Sequence, residues 1–399
     1  MTQLSLDMYA SAGVGVVALL LGLLFTRAIP FLKRFCIPAP VSGGLLISLL
    51  TLLLYGVFGV ECQFDGTLKD FCMMLFFTSV GFQCDLGMLK KGGRPLVVMI
   101  VLVFFLIVIQ NLISVGIACG LKLDPLFGMA AGSIPMSGGH GTSGGFSPLL
   151  EQMGLQSASS ITMAAATFGL LAGSLLGGPL GELLIRRHKL SAHSAGNDAP
   201  VSEADTAASN DSGKSDYLQA TCILVLAKAL GVGVSKLLAL SGISFPTYFG
   251  ALLVACLLRN IFAFSPKWSA HFSSAGIPAV GNIALQLFLG MAMASMRLWE
   301  LSSLALPLTL ILFAQVLFMA LYGAFVAFPV LGRDYDSAVL VSGLCGFGLG
   351  ATPNAMANMS AVCHKYHYAA RPFIIVPIIG AMFVDIINTG IVTLFLNLI

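Results

Sequence analysis

Charge is what this chain has least of. Asp, Glu, Lys and Arg together make up 9% of its 399 residues, against about 25% in a soluble domain. That scarcity excludes an ordinary water-soluble fold. Metal-ligand spacing is also missing: nine cysteines occur with no C-x-x-C pair, and most sit inside apolar runs, where a free thiol packs as a small hydrophobe. Cys345, beside a glycine cluster, is the thiol to test with reagents. Among the histidines, His188 and His193 fall in a polar stretch and His364 and His367 at a predicted membrane edge, which leaves no zinc set. The net charge of +3 is too small and too dispersed to mark a nucleic-acid binder.

What fills the chain instead is apolar sequence, 57% of residues. Runs long enough to cross about 30 Å of hydrocarbon recur throughout. They predict an all-α polytopic membrane protein with spans near 8–28, 40–60, 68–88, 95–120 and 158–185, then near 217–240, 246–264, 276–297, 301–329 and 370–397. The first run follows Asp7 with no preceding Lys or Arg. It therefore lacks the basic flank of a signal peptide and reads as a retained span. With the N-terminus outside, 15 of the 20 basic residues fall on the inner side, a strong positive-inside bias. Both termini are then periplasmic.

One stretch breaks the apolar pattern. Residues 189–216 are polar and mixed in charge, with too little apolar surface to fold, and read as a disordered cytoplasmic linker. The segments on either side, 1–188 and 217–399, share an order of features. Asp124 precedes Thr142 by the same spacing as Asp334 precedes Thr352, and under that offset Gly138 meets Gly348. Gln110 and Gln315 occupy the fourth span of each half. A unit of five spans reverses the side on which its successor starts, so the halves are expected to be inverted repeats.

Each half also carries a glycine-rich interruption, within 125–150 and 336–362: Ser137-Gly138-Gly139-His140-Gly141-Thr142 and Gly346-Phe347-Gly348-Leu349-Gly350-Ala351-Thr352-Pro353-Asn354. Unpaired peptide groups at membrane depth cost several kcal/mol each and persist only where protein, water or a ligand satisfies them. Both segments read as re-entrant helical hairpins, with Pro353 helping to end a helix. Glycine packing alone could explain isolated members, but two clusters in register with flanking hydroxyls point to a ligand site. Asp385 is the one acid well inside a predicted span, so it must face the protein interior. Asn388 lies less than a turn away. Ser137 and His140 in one run raise an intramembrane protease, but a nucleophile, base and oxyanion site normally come from separate elements.

These motifs, with Ile37-Pro38-Ala39-Pro40-Val41-Ser42-Gly43-Gly44 and Val384-Asp385-Ile386-Ile387-Asn388, resemble the bacterial sodium/glutamate symporter family over nearly the whole chain. The resemblance implies Na+-coupled uptake of L-glutamate across the inner membrane. It also implies a homodimer of elevator type, in which a core domain bearing the hairpins slides against a scaffold. No organic cofactor is implied. On this reading the substrate contacts are Ser137, Gly138, Gly139, His140, Gly141, Thr142, Gly348, Gly350, Ala351, Thr352 and Asn354. The Na+ candidates are Asp385, Asn388, Thr352, Asn358 and Ser137. A citrate- or malate-like cargo, proton coupling through Asp385, or a channel are the competing readings.

Overall fold

The structure is a computed structural model that describes residues 2–85, 87–190, 214–240, 245–264, 272, 274–301 and 304–399. Of the expected linker 189–216, only Lys189, Leu190 and the start of the helix Lys214–Ala239 fall among them.

Seven helices among the described residues are long and apolar enough to cross a membrane. They include Met8–Ala28, Ala39–Phe58, Gly93–Gly120, Ala158–His188 and Gly276–Ala294. At 1.5 Å per residue, about 20 residues cover the hydrocarbon core. Local chemistry sets their ends. The Asp7 carboxylate caps the first helix by accepting from the Ala10 N–H at 2.8 Å, and Gly59 closes Ala39–Phe58 in the left-handed region at φ +64°. Phe249–Ile261, Tyr335–Leu349 and Val384–Leu396 are apolar but shorter. The last of these continues Ala370–Ile378 through a π turn over Ile379–Phe383.

The chain is not wholly helical. Thr2–Leu6 pairs in parallel with Val60–Phe64, with Thr2 opposite Val60. Two consecutive spans return a chain to the face it left, so segments leading into the first and third spans can run side by side in one direction. Ser11 Oγ fastens this corner by accepting from the Asp65 N–H at 2.9 Å.

The helices pack as two groups. One holds Met8–Ala28, Ala39–Phe58, Thr67–Gln83, Lys214–Ala239, Phe249–Ile261 and Gly276–Ala294. The other holds Gly87–Gly120, Ala158–His188, Ala305–Tyr322, the glycine-rich segments and the C-terminal helices.

Candidate functional site

Both glycine-rich segments fold as broken hairpins. In the first, the Asp124 carboxylate accepts from the Leu126 N–H at 2.8 Å and opens Pro125–Ala130. Ser133–Met136 follows, the chain turns at Ser137 and Gly138, and the second arm runs Gly139–Gln152. In the second, the Asp334 carboxylate accepts from the Ser337 N–H at 2.8 Å and opens Tyr335–Leu349. Gly350 makes the turn, Ala351 is extended, and the second arm is Thr352–Lys365. Pro353 therefore stands in the first turn of the second arm. It starts a helix there, where its missing N–H has no partner to lose, and does not end one.

The two tips meet. Gln110, fully buried on Gly87–Gly120, donates its Nε2–H to the Gly348 carbonyl at 2.8 Å. Its Oε1 accepts from the Ser137 hydroxyl at 2.7 Å. Gln315 donates to the Gln110 carbonyl at 2.7 Å. Beside these bonds lies a cavity of about 280 Å³, to which the first hairpin contributes Ser137 through Thr142 and the second Gly350, Ala351 and Thr352. Asp385 also lines it, 3.5 Å from the Thr142 hydroxyl. The opposite wall comes from the other helix group: Phe76, Val80, Leu285 and Leu289. Among the described residues, Asp385 is the only carboxylate in that lining, and neither Lys nor Arg lines it.

Several expected site residues stand elsewhere. Asn388 is engaged on both amide ends by Ser133, accepting from its hydroxyl at 2.6 Å and donating to its carbonyl at 3.1 Å. Asn354 and Asn358 donate to the Leu170 and Gly173 carbonyls at 2.8 and 2.9 Å. These three asparagines do not line the cavity; each holds a hairpin or the last helix to a neighbour. Gly348 stays outside the lining and acts through its carbonyl. Cys345 is fully buried and off the cavity, so reagents arriving by that route do not meet it. Gln110 was legible only as a polar residue in an apolar run with a counterpart at Gln315.

The protease reading fails on geometry. The Ser137 hydroxyl is bonded to Gln110, while His140 Nε2 lies 3.0 Å from Thr167 Oγ1. Thr167 gives its own proton to the Met163 carbonyl, so His140 is the donor in that pair.

A second cavity of about 460 Å³ is bordered by Lys69, Glu151, Ser157, Arg297 and Glu300. Phe288 and Gly144, which also line it, pack on each other; Tyr248 packs on Gly145 and stacks on Phe77 at 3.7 Å.

Interrupted helices lining a pocket between two packed helix groups are the architecture of a membrane transporter. Sequence relatives say which kind. The family model described as sodium/glutamate symporter matches residues 4–368. A protein of Escherichia coli (strain K12) named sodium/glutamate symporter is 40% identical over 396 residues, covering 98% of each chain. One of the same name from Haemophilus influenzae is 35% identical over 392 residues, covering 96% of this chain and 95% of its own. The chain belongs to the sodium/glutamate symporter family, a family of multi-pass membrane transporters and not of enzymes.

Proposed function

We propose that this protein imports L-glutamate across the bacterial inner membrane by Na+ symport, with a homodimeric elevator as its mechanism. The observation that carries the proposal is the single cavity shared by two unwound tips and Asp385. Its chemistry suits an anion and a cation bound together. The second arms begin at the cavity, and the first N–H groups of a helix have no partner within it. Those of Gly139, His140 and Gly141 are offered to a carboxylate, with the helix dipole adding roughly half a positive charge. Carbonyls ending the first arms, Asp385, and the Thr352 and Ser137 hydroxyls are offered to Na+. With neither Lys nor Arg among the described lining residues, sodium itself supplies the formal positive charge that the substrate meets besides its own ammonium.

The relatives' names supply the cargo. Division into two packed groups with the cavity between them supports the sliding motion. The group carrying both hairpins is the core and the other the scaffold. The shared capping of the first arms by Asp124 and Asp334 supports inverted repeats in 1–188 and 217–399. With both termini periplasmic and 189–216 cytoplasmic, Cys36, Pro38 and Gln83 mark the cavity's inner border, so the arrangement is inward-facing. Each charge moved down 100 mV releases about 2.3 kcal/mol, so more than one Na+ per glutamate lets the membrane potential drive uptake.

The test is uptake of labelled L-glutamate by proteoliposomes with and without an inward Na+ gradient, with citrate and malate as competitors. Accumulation only with the gradient, displaced by glutamate and not by citrate or malate, is expected. Equal accumulation in both conditions would overturn the coupling, and preferential displacement by another carboxylate would change the cargo.

A further inference from the structure

Gln110 lies behind the cavity, not in its lining, yet its hydrogen bonds fix the direction of a proton inside the site. A backbone carbonyl can only accept, so the Gln110 group facing Gly348 O at 2.8 Å must be the amide nitrogen. Its Oε1 then faces Ser137 Oγ at 2.7 Å. An amide oxygen also only accepts, so Ser137 must donate. The second neighbour of that hydroxyl, the Gly348 carbonyl at 3.4 Å, is an acceptor as well. The Ser137 proton therefore points away from the cavity, and its lone pairs are left to face the space that Ser137 lines. Gln315 stiffens the arrangement from the opposite half by donating to the Gln110 carbonyl at 2.7 Å.

A free hydroxyl can turn its proton either way, and would offer a donor to a carboxylate as readily as an acceptor to a cation. We propose that Gln110 is a positioning residue that makes Ser137 an obligate acceptor and so sets the affinity for the transported sodium. The inference rests on the symport reading above. It explains why a fully buried glutamine joins the two tips at this point: one side chain holds them together and orients the hydroxyl between them.

The test compares half-saturating Na+ with the glutamate KM at saturating Na+ in proteoliposomes. Gln110→Met keeps the length and removes both bonds; Ser137→Ala deletes only the hydroxyl. Both are expected to raise half-saturating Na+ about tenfold, the loss of a contact to a charged group, a larger shift than either produces in the glutamate KM at saturating Na+. The double variant should show no greater shift than Ser137→Ala, because the glutamine acts through the serine. Wild-type Na+ dependence in either single variant, additive shifts in the double variant, or equal losses in both parameters would overturn the inference. If Gln110→Met does not insert, wild-type Na+ dependence in Ser137→Ala alone still overturns it. Sodium-independent uptake by the wild type would instead defeat the symport reading itself.

Discussion

Gly139 and Gly350 face each other across the hairpin tips: a Cβ added to Gly139 would stand 2.9 Å from the Gly350 carbonyl oxygen. Gly139 also adopts φ +61°, a conformation that costs an alanine about 1–2 kcal/mol. Gly139→Ala therefore meets both backbone strain and a displaced tip. We expect the variant to reach the membrane with uptake lowered about tenfold or more, of the order that small misplacements of binding groups produce. Labelled glutamate uptake normalised to inserted protein checks this. Wild-type rates would show that the tips tolerate separation.

Asp385 is the one carboxylate among the described residues lining the cavity. Asp385→Asn preserves shape and removes the charge that a sodium ion would meet. The expected outcome is half-saturating Na+ raised by about tenfold or more, or uptake abolished, in a correctly inserted protein. Uptake measured across a sodium series decides it, and an unmoved sodium dependence would assign Asp385 a packing role.

Asn358 supports the second hairpin without reaching the cavity. Asn358→Ala removes its bond to the Gly173 carbonyl and is expected to cost about 1–3 kcal/mol of stability, with half-saturating Na+ unchanged. Thermal unfolding of the purified variant alongside its sodium series separates these effects. A raised sodium requirement with unaltered stability would return Asn358 to the ligands.

On the proposed orientation, contacts on the outer side join the two helix groups. Ser157 donates to the Glu300 carboxylate and Ser160 Oγ accepts from the Arg297 N–H at 3.0 Å, while Arg297 is tied to Glu61 of its own group at 3.4 Å. These bonds favour the arrangement in which Cys36 borders the cavity. In everted vesicles of a variant keeping only Cys36, an impermeant maleimide should label that thiol. Glu300→Gln should slow labelling about twofold, since a partly exposed ion pair contributes under about 1 kcal/mol. Unchanged labelling would show that the outer contacts do not bias the state.

Much of this was readable from local pattern, and the remainder was not. Apolar runs located the spans because burial in lipid demands length and composition alone, and the matched spacing of Asp124 and Asp334 lined up two segments whose first arms those carboxylates turn out to cap. The strand Thr2–Leu6 was missed because its partner lies two spans away. Asn388 and Asn358 were read as Na+ candidates from a pattern that gives a polar residue's presence but not its direction. Each had a nearer partner, Ser133 for one and the Gly173 carbonyl for the other. Gln110 was seen and left without a role for the same reason: its bonds to Ser137 and Gly348 span 27 and 238 positions.

Equilibrium binding of labelled L-glutamate to the purified protein, titrated against sodium, tests most directly whether one cavity holds both. Coupling through a shared site is reciprocal: sodium should raise glutamate affinity about tenfold or more, and glutamate should raise sodium affinity by the same factor. Glutamate affinity indifferent to sodium would contradict a common site at the joined tips.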